Sequence, residues 1–225
     1  MTEPTTAPPL SSTSRTSLGR KKDRAATDRA DLHDVLDGAL ICHLGLVLDG
    51  HPQVLPTGYG RDGEVLYLHG STGARSVLAA GAEPEVCVTV TLLDAVVYSR
   101  TLNDHSMNYR SAVIYGRPRA VLDPAEKLHG LRVLSEHLAP GSWDHAREPD
   151  AKELAAVAVL ALPLAEASVK IRSGPPTDDP AEHATGAWAG VLPFRTEWGT
   201  PIPAPDLAPG IPTPPHIADR RTPHD

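Results

Sequence analysis

The feature that most constrains this chain is a set of three apolar segments between residues 39 and 68, joined by two Asp-Gly pairs. Ala39 to Leu48 is long enough for a strand. Asp49-Gly50 follows, then a strand-like run around Gln53 to Tyr59, then Asp62-Gly63, then Glu64 to Leu68. An Asp-Gly pair accepts the positive φ of a tight hairpin turn. Strands joined this closely run antiparallel, because a parallel neighbour needs a crossover of a dozen or more residues. The segment is a meander, and a βαβ unit is excluded. This settles the string Gly58-x-Gly60-x-x-Gly63 as well. A dinucleotide fingerprint needs a helix after its glycines, and here Glu64-Val65-Leu66-Tyr67-Leu68 is strand-like, so the glycines read as hairpin and bulge residues.

The flanks extend the pattern. Asp28 is placed to cap a short helix, with Asp31 in a capping-box-like position and Leu32, Val35 and Leu36 on one face. Ala74 to Ala80 reads as a short helix ended by Gly81. Glu85 to Leu92 alternates Val86, Val88 and Val90 against Cys87, Thr89 and Thr91, which is strand periodicity. Ala95 to Ser99 continues or restarts that strand, and Arg110 to Leu122 suggests another with a bend at Gly116-Arg117-Pro118. Asp123-Pro124 opens the clearest helix, with Asp at the cap, Pro at the first position and Leu128, Leu131, Leu134 and Leu138 as its stripe. A short helix is expected within Pro149 to Ala156. Late strands are expected at Val157–Leu162, Ala167–Ile171 and Ala189–Glu197. Six or seven strands with a few helices indicate a mainly β (α+β) domain, a small antiparallel barrel with short peripheral helices.

Composition sets the limits. The net charge is −7 and the pI about 5.8, which argues against a nucleic-acid binder, whose footprint is basic. The basic run Arg20-Lys21-Lys22 reads as a solvated linker. No run of about eighteen apolar residues exists, so no membrane span is expected, and no apolar signal core is present. Cys42 and Cys87 each sit in an apolar run and suit reduced thiols in a cytoplasmic protein. Residues 1–24, rich in Ser, Thr and Pro where they begin, read as a disordered arm. Residues 201–225, with eight prolines, read as a flexible tail, because neither can bury enough apolar surface to offset ordering. The folded domain is expected over 25–200.

Two segments carry candidate chemistry. Tyr67-Leu68-His69-Gly70-Ser71-Thr72-Gly73-Ala74-Arg75 runs from a strand end through small hydroxylated residues into a helix start. Unpaired N–H groups there suit a phosphate, and a bound phosphate would suit Arg75; an ordinary strand-to-helix cap reads equally well. His105-Ser106-Met107-Asn108-Tyr109-Arg110-Ser111 is either a site-lining loop or a polar connection. Eleven histidines are present. His43, His51, His69 and His105 lie on or near strands without metal-ligand spacing, so no metal site is expected. His129 and His137 read as solvent-facing positions of the long helix.

Taken in order, these stretches resemble the pyridoxamine 5′-phosphate oxidase-related flavoproteins, nearest the branch of nitroimidazole-resistance and flavin-nucleotide-binding proteins. They are Ala39-Leu40-Ile41-Cys42-His43, Pro52 to Pro56, Leu66 to Arg75, Val86-Cys87-Val88, Tyr109-Arg110-Ser111-Ala112-Val113 with Gly116-Arg117, Asp123-Pro124-x-Glu126-Lys127, and Trp188-Ala189-Gly190-Val191-Leu192-Pro193. The resemblance implies a split β-barrel homodimer with FMN at the subunit interface. It implies Pro56, Thr57 and Gly58 beside the flavin ring, His69 at its edge, and Gly70 among the cofactor-binding residues. Ser71, Thr72 and Arg75 would lie on the phosphate, Arg110 and Ser111 near the site, and Trp188 would reach the cofactor. The substrate-phosphate residues of true pyridoxamine phosphate oxidases are not recognisable, which argues against vitamin B6 oxidation. The implied function is an FMN-dependent oxidoreductase acting on a small molecule, with NAD(P)H as a transient donor and His69 as the proton-delivering or substrate-anchoring residue. The alternatives are a flavin-binding or storage module without turnover, and the same fold holding F420 or haem.

Overall fold

The computed structural model describes residues 9–10, 13–73 and 85–220. The expected helix at 74–80 and Arg75 lie outside the described residues. Among the described residues there are ten strands: β1 (Ala25–Ala26), β2 (Ile41–Leu48), β3 (His51–Asp62), β4 (Val65–Ser71), β5 (Val86–Tyr98), β6 (Ser106–Gly116), β7 (Arg119–Ala120), β8 (Val157–Pro163), β9 (Glu166–Arg172) and β10 (Gly190–Pro193). They form one antiparallel sheet in the order β1-β9-β6-β5-β2-β3-β4-β8-β7, with β10 added to β5. The sheet curls without closing, as a split barrel does.

The two expected hairpins are present. Asp49 (φ 53) and Gly50 (φ 78) both adopt the left-handed conformation of a two-residue turn, and Gly63 (φ 53) turns β3 into β4. β3 also shows where the barrel splits. It pairs with β2 through residues 51–58 and with β4 only through 59–62. Pro52 and Pro56 lie in the half with a single neighbour, where a missing N–H costs nothing to the sheet.

β5 is one strand, not two. Its pairing with β6 shifts at Leu93/Ala95, and this bulge moves the buried positions from Val86, Val88 and Val90 to Ala95 and Val97. α1 (Arg29–Gly38) is capped by Asp28, which accepts from the Ala30 N–H at 2.9 Å. It presents Leu32, Val35 and Leu36, all fully buried, to the barrel core beside Cys42, Tyr59, Val88, Ile114 and Leu162. Full burial of each such side chain contributes about 1.5–3 kcal/mol. Arg29 ties the helix start to Glu64 at 2.6 Å and to the Leu164 carbonyl at 3.0 Å. Burial pushes the Cys42 thiol up to about 12, whereas Cys87 is only partly buried.

A second, smaller core lies outside the barrel. α2 (Pro124–Leu138) packs on β3, β4 and β8 through Leu134 against Tyr67, Val121, Val159 and Ala161. α3 (Ala151–Ala156) leads into β8 and carries a capping box between Asp150 and Glu153. Arg147 and the Asp150 N–H hold the Glu153 carboxyl down to about 2. Both terminal segments touch the domain. Arg15 pairs with Glu166 and, at 2.8 Å, with Glu85, and Arg220 donates to the Leu138 carbonyl at 2.5 Å.

Candidate functional site

Alternation along a strand assigns each residue a face. On β2, Cys42, Leu44 and Leu46 enter the core, so Ile41, His43, Gly45 and Val47 face outward. On β3, Tyr59 enters the core, so Pro56, Gly58 and Gly60 face outward. On β5, Thr89 and Thr91 stand opposite the buried valines. The outer face of β3-β2-β5 is therefore a patch of small, apolar and hydroxylated residues with one imidazole. Ile41 (56%), Val47 (61%) and Val54 (65%) remain exposed on it.

A cavity of about 1030 Å³ opens on this face. Its floor is Ile41, His43, Pro56, Thr91 and Leu92. One wall is the end of α1 with Ala39 and Leu40, the other the end of α2 with Glu136 and His137. The cover is the C-terminal segment, through Trp198, His216 and Arg220. The Arg220 guanidinium lies 3.9 Å over the Trp198 ring, a cation–π contact that pins the two ends of the cover together. Sequence reading missed this cover, because a Pro-rich segment shows no periodicity. It also misread His137. The helix turns that side chain inward, where Nε2 donates to the Ala39 carbonyl at 2.7 Å and the ring stacks on Tyr59 at 4.8 Å. The sign that it was placed inward is its position three residues after Leu134, on the helix's buried stripe.

Of the described residues implied to hold a cofactor, only Pro56 lines this cavity; Thr57 and Gly58 follow it on β3. His69, Gly70, Ser71 and Thr72 lie at the far end of β4. That strand was expected to end at Leu68, but pairing with β8 carries it to Ser71. His69 shares the outward face of Tyr67. Its ring is exposed and hydrogen-bonds no described residue. Ser71 Oγ accepts from the Gly73 N–H at 3.3 Å, which leaves its own proton to donate. Thr72 uses its N–H and its hydroxyl on the Ala156 carbonyl, at 3.1 and 3.3 Å. Ser71 is thus the better placed of the two to meet an anion.

The remaining residues lie elsewhere, Arg110 and Ser111 on β6 and Trp188 just before β10. Arg110 pairs with Asp94 at the β5 bulge, 2.8 Å, and Ser111 Oγ lies 3.4 Å from the Lys170 carbonyl. Trp188 is 68% exposed, its ring 5.9 Å from Tyr98. Between β4 and β6 stand β3, β2 and β5, four strand spacings or about 19 Å along the sheet. His69 is exposed on the outward face of β4, whereas Arg110 stands on the face of β6 that carries Ala112 and Ile114 into the core. The segment His105–Asn108 builds structure: His105 Nδ1 accepts the Ser99 N–H at 3.1 Å, and Asn108 bonds the buried Arg172 and the Gly174 carbonyl. Among the described residues no group of three or more His, Cys, Asp or Glu could hold a metal ion. Among the same residues, no helix is long and apolar enough to cross a membrane.

A curled antiparallel sheet with α1 plugging its core and an open outer face defines a split-barrel protein. The family model of pyridoxamine 5′-phosphate oxidase matches residues 28–171, and the chain belongs to that family. Two solved structures are similar over nearly their whole length. The flavocytochrome Anf3 from Azotobacter vinelandii shares 37% identity with a TM-score of 0.88, over 93% of this chain and 97% of that one. The FAD- and haem-binding protein from Mycobacterium smegmatis shares 38% with a TM-score of 0.84, over 88% and 97%. A 5-nitroimidazole antibiotic resistance structure from Bacteroides thetaiotaomicron, at 24% identity and a TM-score of 0.57 over 65% and 86%, shares the fold. No curated protein sequence matches the chain.

Proposed function

We propose that this chain is a flavin- and haem-binding redox protein that works as a homodimer on a small molecule. The observation that carries the reading is the near-full-length similarity, above 35% identity, to a flavocytochrome and to an FAD- and haem-binding protein. Of the two flavin nucleotides we favour FAD over FMN, since the relative named for its flavin binds FAD. A bound flavin supplies hydride or single-electron transfer, and the protein's part is to bind, orient and tune it.

The residues present fit a flavin held between two copies. Pro56 to Gly58 offer a small, flat strand edge, Ser71 a free hydroxyl proton, and His69 an exposed imidazole that can anchor a substrate or deliver a proton. Within one chain, three strands separate Arg110 and Ser111 from the strand of His69, and Trp188 lies off the sheet beside Tyr98. A second copy can bring them to it, and the exposed Val47 and Val54, outside the cavity, give that copy an apolar face to cover. NAD(P)H is the proposed transient donor, and the free thiols of Cys42 and Cys87 suit a reducing cytoplasm. The large, mostly apolar cavity lined by imidazoles fits a haem.

Cofactor release from the purified protein tests the reading. We expect flavin bands and a Soret band in the visible spectrum, FAD on chromatography of the extract, and a dimer by sedimentation. Protein that neither retains nor takes up any flavin would overturn it.

A further inference from the structure

We propose that the cavity beneath the C-terminal segment is the haem pocket, and that the His43 imidazole is the side chain that would hold the iron. This rests on the reading above that the chain carries a haem beside its flavin. At about 1030 Å³ the space is at the top of the roughly 300–1,000 Å³ range of cofactor sites. Three imidazoles line it, and their surroundings separate them.

His137 is committed. Its Nε2–H serves the Ala39 carbonyl and its face packs on Tyr59, so turning it to a ligand would strand a buried acceptor. His216 belongs to the cover, in a four-residue helix (Pro215–Ala218). Its ring is 5.0 Å from that of His145, and its Cβ lies against Gly141. His43 alone stands on the floor. It sits on β2, in register with Pro56 on one side and Thr89 on the other. A strand paired on both sides holds a ligand more precisely than a terminal segment does. The ring is exposed and hydrogen-bonds no described residue. An imidazole that hydrogen-bonds no described residue, mounted on a doubly paired strand in a mostly apolar cavity, has the chemistry to hold a haem iron.

The rest of the lining agrees. Ile41, Leu92 and Trp198 supply apolar surface for a porphyrin. Of the four carboxylates in the lining, Asp37 is matched by Arg61 and Glu136 by the N–H groups of Gly141 and Trp143, while Glu197 and Asp219 belong to the C-terminal cover. Arg220 gives one N–H to the Leu138 carbonyl and keeps others for a carboxylate of the haem edge.

The test uses the full chain, titrated with hemin and followed by Soret absorption, with flavin content and thermal melt measured on each sample. The parent should show a shifted Soret band. His43→Ala should lose at least about tenfold in haem affinity, regain the parent band when free imidazole is added, and keep its flavin. His43→Gln, closer in polarity, repeats the measurement should the alanine variant fail to fold. His129→Ala, paired with Asp62 and outside the cavity lining, should behave as the parent. A folded His43 variant with the parent's spectrum overturns the proposal, and so does a loss of the band in His69→Ala instead. A parent that binds no haem removes the haem reading itself, and this proposal with it, whatever the variants do.

Discussion

Two glycines on one strand divide the molecule. Gly58 and Gly60 both face outward from β3, two residues apart. A Cβ on Gly60 would lie 2.7 Å from the Val133 carbonyl oxygen and 2.9 Å from the Leu134 Cα of α2, whereas a Cβ on Gly58 would meet nothing within 4 Å. On one side of that boundary the sheet is finished by its own chain, with α2 so close that only glycine fits beneath it. On the other side, over β2 and β5, the outer face carries a cavity and exposed aliphatic residues. The same strand thus belongs to two surfaces, one built for stability and one left open for something that is not this chain's own core.

The sharpest way to break the comparison is to fill both glycines. In cofactor-free protein, Gly60→Ala should cost about 1–3 kcal/mol, because the atoms in the way are backbone and α2 must move. Gly58→Ala should do the opposite and add about 0.4–1 kcal/mol, since neither space nor φ opposes it and the unfolded chain loses freedom. Denaturant melts of the pair decide this, and a shift of the same sign in both would erase the boundary. On the open face, Val54→Lys should leave the fold within about 0.5 kcal/mol yet shift sedimentation toward monomer. A dimer that persists would place the interface elsewhere. The smallest effect is a pH response on the covered side. Arg147 and the Asp150 N–H depress the Glu153 carboxyl to about 2, so its contribution is present above the ordinary carboxylate range and lost as pH falls from about 4.5 toward 2. The NMR signals of Ala151–Ala156 should move over that window, and flat signals would show that the capping box does not hold α3.

Much of the covered half is legible in the sequence, because its signals are local. Asp123 and Pro124 announce α2, and the Asp123 side chain does accept the Glu126 N–H at 2.8 Å. Asp49-Gly50 announces its turn. The open half depends on non-local pairing. Nothing near Asp94 says that β5 runs on through a bulge, since that is fixed by β6. Nothing within His69 to Ser71 says that the strand continues, since β8, nearly ninety residues later, supplies the partner. The cavity is the extreme case. Its floor, walls and cover come from residues 37–56, 91–92, 136–141 and 196–220, and Pro-rich chain contributes a wall only after the floor exists.

The two cysteines fall one on each side of the sheet, and this gives the protein a built-in pair of chemical clocks. Cys42, inside the barrel with its thiol held near 12, is shut to alkylating reagents while the barrel is closed, so its modification rate counts global openings. Cys87 points to the open face beside Gly45. It should react sooner, and covering that face should slow it without touching Cys42. Pulsed alkylation read by mass therefore times barrel unfolding and face exposure in one sample, with no residue introduced.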